Sequence, residues 1–299
     1  MFYFLNELKI SFQIDDYGHW PQCRKAIDEF FVDANYTLEV IDGTGRWFQK
    51  TNNDIRIPIP YLDSFEMDPR LKKNWEILGQ WHQETVTRFT GHVGKNPFQT
   101  YRYVEATRHM IQAKKNEVNE GNAIRVNVCE TGFNGGHSAM LFMALFDEEA
   151  KEHIYYYGWD LKKFGSASPT ANKMKETYGD HFQITWGNSR ETLKEANSVL
   201  KGELCDIVVV DGDHSGAGVE HDLKNFLKVA RPGTVVFSDD CAPKHKNVPK
   251  AAEMKAAYEE FVKRMEIISV AAYRNPTLKS PGFVEGLVPD KNGGYVLGI

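Results

Sequence analysis

Three aspartates and a histidine carry the clearest chemistry in this chain of 299 residues. The segments "VVVDGDHS" (208–215) and "VFSDD" (236–240) each end an apolar, strand-like run in carboxylates. If the two runs are neighbouring strands, Asp211, Asp239 and Asp240 meet at one edge of a sheet. Three such groups repel one another unless a cation neutralises them. A hard divalent cation that takes oxygen ligands, Mg²⁺ above all, suits the set. His214 follows Asp211 by three residues, and its ordinary pKa near 6.5 suits a base at neutral pH. Asp211 and His214 are therefore the candidate catalytic residues, and Asp211, Asp239 and Asp240 the candidate metal ligands. The competing reading, in which acids cap helices or face water, fits Asp213 best.

A second constellation lies upstream. "ETGFNGGHSA" (130–139) places Gly132, Gly135 and Gly136 between a strand-like run and a helical one. Glycines at such a turn let a ligand approach the backbone, and a helix start favours a negative group. The spacing is not G-x-G-x-x-G, so the dinucleotide fingerprint fails. Glycines that merely shape a tight turn remain the alternative. The next strands end in "GWD" and "GNS", which puts Asp160, Asn188 and Ser189 at the same sheet edge. Ligands of open parallel sheets bind outside the carboxyl ends of the strands, where an acid can hold ribose hydroxyls.

The elements that must position these groups can be read from periodicity. From residue 123 onward, five strand candidates ("AIRVNVCE", "HIYYYGWD", "HFQITWG", "CDIVVVDGD", "TVVFSDD") alternate with helical stretches near 137–151, 168–179, 189–201 and 217–230. A further helix carries Met254, Tyr258, Phe261 and Met265. "EIISVAAY" and "GGYVLGI" supply two last strands. The expected fold is α/β, a Rossmann-like sheet of seven mostly parallel strands with helices on both faces. Residues 71–122 read as a helical cap, with Leu71, Trp75, Leu78, His82, Val86 and Phe89 on one face. Trp75, Trp81, Phe89, Phe98 and Tyr101 are read mainly as packing residues. Residues 51–70, punctuated by Pro58, Pro60 and Pro69, read as a linker.

"NVCETGFNGGHSA" resembles motif I of the class I S-adenosylmethionine-dependent methyltransferases. Residues 208–240 resemble the D-G-D-H-S branch of that superfamily, related to metal-dependent catechol and caffeoyl-CoA O-methyltransferases. The resemblance implies that Glu130, Gly132, Gly136, Ser138, Asp160, Asn188 and Ser189 hold S-adenosylmethionine. It also implies that the three aspartates hold a divalent metal and that a small hydroxylated molecule is methylated. Residues 1–50, with "FQIDDYGHW" and "YTLEVIDGTGRWFQK", resemble the C-terminal end of a macrocin-type O-methyltransferase. They are expected to form a partial strand–helix–strand repeat that docks on the second domain or on a partner chain, which leaves a homo-oligomer open. Asp15 and Asp16 would then be a relic of the repeat.

Composition narrows the rest. A formal net charge of −5 argues against a nucleic-acid partner. No apolar run is long enough for a membrane span. Cys23, Cys129, Cys205 and Cys241 form no C-x-x-C pair, so four reduced thiols and a cytoplasmic location are expected. The readings that compete with a metal-dependent O-methyltransferase are a metal-independent N- or C-methyltransferase, a non-catalytic nucleotide-binding scaffold and, more distantly, an NAD oxidoreductase.

Overall fold

The structure, a computed structural model, describes residues 4–6, 9–14, 39–40, 46–50, 69–85, 93, 97–117, 123–147, 152–241, 249–264, 266–273 and 283–289. The chain divides into two compact units, Met1–Pro58 and Ile59–Ile299.

In the first unit, strands β1 (Phe4–Asn6), β2 (Lys9–Ile14), β3 (Glu39–Val40) and β4 (Arg46–Lys50) form a sheet of order β1-β2-β4-β3, antiparallel throughout. The expected strand–helix–strand outline gains β1, which the sequence reading passed over. The expected helix around Cys23–Phe31, and Asp15 and Asp16, lie outside the described residues.

The second unit begins with two helices, α1 (Pro69–Thr85) and α2 (Pro97–Glu117). Val86, Phe89 and the linker residues before Pro69 lie outside the described residues. Leu71 and Leu78 of α1 and Tyr103, Val104 and Ile111 of α2 are buried in the same core as the sheet that follows. Leu71 and Leu78, and likewise Val104 and Ile111, are seven apart, with Tyr103 beside them, so they share one face of each helix, which is why the helices pack rather than stand free.

Among the described residues that sheet has seven strands: β5 (Ile124–Thr131), β6 (Glu152–Asp160), β7 (Phe182–Trp186), β8 (Cys205–Val210), β9 (Ala230–Asp239), β10 (Ile268–Tyr273) and β11 (Phe283–Leu287). Their order is β10-β11-β9-β8-β5-β6-β7. Strands β5 to β9 pair in parallel, and β11 runs antiparallel between β9 and β10. Strands β5 and β8 are almost continuously buried because both of their faces are covered. One face packs on Val126, Met140, Phe142, Phe237 and Phe283; the other packs on Val208, Leu223, Phe226 and Tyr258. The fold is thus the Rossmann-like α/β architecture that the periodicity implied.

Helices α3 (His137–Met143), α4 (Ala167–Tyr178), α5 (Ser189–Thr192), α6 (Ala196–Val199), α7 (Gly216–Phe226) and α8 (Pro249–Lys263) connect the strands. The helix expected over 137–151 stops at Met143, where i→i+3 bonds from Leu145 to Phe142 and from Phe146 to Met143 tighten the last turn. The helix expected over 189–201 is broken into two short turns joined by a 3₁₀ segment at Leu193–Glu195. Among the described residues no helix is long and apolar enough to cross a membrane.

The sheet gains a strand that the sequence reading did not assign, Phe283–Leu287, while the expected strand "GGYVLGI" lies outside the described residues; one expectation about the cysteines is corrected below. Glu285 disguised the added strand, because a carboxylate in mid-strand reads as a break. Here Arg102 of α2 meets it with two hydrogen bonds, from Nε at 3.0 Å and from Nη2 at 2.8 Å. The four cysteines are not all reduced, since Cys129 of β5 and Cys205 of β8 are joined in a disulfide. They are 76 residues apart in sequence, and only the strand order makes them neighbours. Such a bond is typical of oxidising compartments, which weighs against the cytoplasmic expectation. Cys241 is a free, buried thiol, and Cys23 lies outside the described residues.

Candidate active site

The strand order brings the ends of β5, β6, β8 and β9 to one edge. Strand β5 delivers Glu130 and then turns at Gly132, whose φ is +96°. A Cβ at this glycine would stand 2.0 Å from the Asp211 carbonyl oxygen, so no other residue fits. The glycine loop and the β8 end are also bonded directly, Asp211 N donating to Thr131 O at 3.0 Å. The two constellations found in the sequence therefore form one site.

On the glycine side, Glu130 is fully buried. Its Oε2 accepts from Ser138 Oγ at 2.8 Å and from the Tyr156 hydroxyl. Its Oε1 has no partner. Burial pushes the Glu130 carboxyl up to about 7, against the pull of the two hydroxyl donors. Asp160, at the end of β6, accepts from Asn134 N at 2.9 Å and from Lys162 N at 2.6 Å, so it shapes the glycine loop. Asn188 caps α5 by accepting from Arg190 N at 3.0 Å, with Ser189 next in the chain. Gly136 has φ +79°, and a Cβ there would lie 2.8 Å from Thr170 Cγ2.

An acid whose folded pKa lies above its unfolded value of about 4.3 stabilises the fold below that value and loses the contribution as pH rises through the folded pKa. For Glu130 the window runs from about 4.5 to about 7. Glu130→Gln should therefore melt above the wild type at pH 8, with the gap shrinking as pH falls towards 5. Parallel melting curves across that range would refute the raised Glu130 carboxyl.

On the other side, Asp239 ends β9 and Asp240 follows in a left-handed conformation, φ +55°. Asp211 and Asp239 share a side-chain hydrogen bond. Burial, then the neighbouring Asp239, pushes the Asp211 carboxyl well up, although its side chain keeps 33% of its surface exposed. Burial, then Asp240, raises Asp239 to about 6. His214 Nδ1 lies 2.7 Å from Asp240 Oδ2, and Nε2 lies 3.5 Å from Asp211 Oδ1. The Asp240 bond raises the imidazole pKa and burial opposes it. Asp213 pairs with Arg190 at 3.1 Å.

The sequence reading missed two groups. Gln99 of α2 donates from Nε2 to Asp239 Oδ1 at 3.1 Å and to the Tyr103 hydroxyl at 2.9 Å. Tyr103 is held by ring contacts with Phe142 and Phe237. His82 of α1 reaches Gly135 of the glycine loop. The available signal was a polar residue on an otherwise apolar helix face.

Residues 129–241 match the family described as Methyltransferase domain. No curated protein matches the chain. The fold is similar to that of an O-methyltransferase from Bacillus cereus solved in complex with SAH. That likeness has a TM-score of 0.52 at 16% identity and covers 76% of this chain and 94% of the other. It is also similar to cofactor-bound Rv0187 from MTB, with a TM-score of 0.50, 16% identity and the same coverage of 76% and 94%. The glycine turn, the buried acid before it and the carboxylate-tipped strands all fall within residues 129–241, the span that matches the methyltransferase domain.

Proposed function

We propose that the protein transfers the methyl group of S-adenosylmethionine to a hydroxyl of a small molecule, such as a sugar, a phenol or another secondary metabolite, with a divalent cation such as Mg²⁺ at the carboxylate cluster. The observation that carries the reading is the meeting of Asp211 and Asp239, two half-buried carboxyls in hydrogen-bond contact, beside the glycine loop. Such a pair needs either a proton or a cation between its members. Among the described residues no three His, Cys, Asp or Glu side chains yet surround one point, because Asp240 is turned to His214 and Asp239 to Gln99. The donor chemistry of Asp211 and Asp239 fits a hard cation, with Asp240 as the third candidate ligand.

On the cofactor side, the unpartnered Glu130 Oε1 fits a donor such as an amino group. Asp160 retains acceptor capacity for ribose hydroxyls beyond the two backbone N–H groups it already takes. Asn188 and Ser189 would lie by adenine, and Gly132 and Gly136 would leave room at the backbone, with Ser138 orienting Glu130. Bound S-adenosylmethionine would supply the methyl group, whose transfer to the acceptor oxygen would leave the carbon–sulfur electron pair on sulfur. His214 takes the hydroxyl proton: with Nδ1–H donating to Asp240, its Nε2 carries the free lone pair. A bound divalent cation would acidify and orient the hydroxyl. The His214–Asp240 contact also favours a second reading, in which the dyad serves as base without a metal.

A cofactor-consumption screen over sugars, phenols and hydroxy acids, with and without Mg²⁺, tests both readings. With an acceptor in hand, Asp239→Ala should cost on the order of 10²-fold or more in rate while S-adenosylhomocysteine binding stays within a few-fold. Full activity of Asp239→Ala in excess chelator would eliminate the metal, and full activity of His214→Ala across pH would eliminate the base.

A further inference from the structure

We infer that His82 is a positioning residue for the cofactor, holding the glycine loop from outside the matched methyltransferase domain. The inference rests on the reading of that loop as the S-adenosylmethionine cradle.

His82 lies in the last turn of α1 and is 6% exposed. Its Nε2 stands 2.9 Å from Gly135 O. A carbonyl oxygen can only accept, so the ring carries its proton on Nε2 and donates. Burial lowers the pKa of this histidine, which keeps the donor neutral. The same peptide is engaged at its other end, Gly136 N donating to Phe133 O at 2.8 Å. Both polar groups of the Gly135–Gly136 peptide are thereby committed, and its plane is fixed.

The loop needs such a hold. Asn134, at φ +47°, and Gly136, at φ +79°, both adopt left-handed backbone, which costs energy at the asparagine and leaves the glycine many alternatives. Asp160 pins the first of them through Asn134 N. His82 pins the second.

Helix α1 is itself anchored to the elements on either side of the loop. Asn74 Nδ2 donates to Met140 O of α3 at 3.1 Å and to the Tyr178 hydroxyl of α4 at 3.2 Å. The His137 ring lies 5.4 Å from Trp75 and 5.2 Å from His82. A Cβ on Gly135 would be 3.1 Å from His137 Cε1 and 3.5 Å from His82 Cε1, so the glycine is what allows the rings to close over the loop. A loop already ordered in its binding shape does not charge its ordering entropy to the ligand.

The test is titration calorimetry of S-adenosylhomocysteine into the full chain at pH 8, with a melting curve for each variant. His82→Phe keeps the ring packing and removes the donor. His82→Asn keeps an amide but ends too short to reach Gly135. His82→Gln places an N–H where Nε2 stood. Phenylalanine and asparagine should each weaken binding roughly tenfold, and glutamine should stay within about twofold of the wild type, because one hydrogen bond and one loop conformation are at stake. Melting temperatures that do not track this order separate positioning from a merely structural role. Wild-type affinity in both His82→Phe and His82→Asn overturns the inference, as does a glutamine variant as weak as phenylalanine. If His82→Phe does not fold, the asparagine and glutamine pair decides alone. A wild-type chain that fails to bind S-adenosylhomocysteine overturns the cofactor reading and this inference together.

Discussion

Arg102→Leu lowers the melting temperature by roughly 10 °C, the shift expected when a buried charge loses its partner in a unit of this size. Glu285 sits in the middle of β11 with 5% of its side chain exposed. Both of its oxygens accept from the Arg102 guanidinium. Removing the guanidinium leaves a carboxylate inside the sheet with its main compensation gone, at a cost of about 3–5 kcal/mol. Arg102→Leu combined with Glu285→Leu should recover most of the loss, because a pair of apolar residues needs no compensation. The double variant separates the charge from the packing: a double variant as unstable as Arg102→Leu would show that the arginine stem, not the ion pair, holds α2 in place. The consequence reaches the site, since α2 also carries Gln99 against Asp239.

Breaking the Cys129–Cys205 disulfide should have a comparable effect. The bond spans 76 residues of sequence, and closing a loop of that size restricts the unfolded chain by about 4–5 kcal/mol in the chain-entropy account. Cys129→Ala with Cys205→Ala, or dithiothreitol in the wild type, should lower the melting temperature by ~10 °C or more. Counting thiols gives an independent check. Alkylation of the denatured, unreduced chain should leave Cys129 and Cys205 unmodified, while prior reduction should expose them. Alkylation at both positions without reductant would disprove the bond.

The parts of the structure legible in the sequence were those governed by local rules. Strand β8 and the inner part of β9 announce themselves as apolar runs that end in carboxylates, because a parallel strand buried on both faces has little room for polar residues until it leaves the sheet. The glycine turn follows from the same reasoning. What the sequence hid depends on partners far away along the chain. Glu285 reads as polar until Arg102 is placed beside it. Cys129 and Cys205 read as separate thiols until β5 and β8 are adjacent. His82 and Gln99 read as ordinary residues of amphipathic helices, and only the packing of α1 and α2 turns them towards the loop and the carboxylates. The pairing of Asp240 with His214 depends on a left-handed residue that no spacing rule requires at an aspartate.

The position of β11 has a consequence for how the molecule is made. The strand is inserted between β9 and β10, so the ladder beside β9 is completed by a segment that begins 44 residues after Asp239 (283 − 239 = 44). A ribosome adding roughly 5–20 residues per second needs several seconds to supply that stretch. Throughout that interval the outer edge of β9, the strand that ends in Asp239, carries unpaired backbone groups. Arg102, made far earlier, meanwhile lacks Glu285. The last-arriving strand therefore covers the edge and neutralises the charge in one event, and until then the nascent chain is at its most exposed to edge-to-edge association.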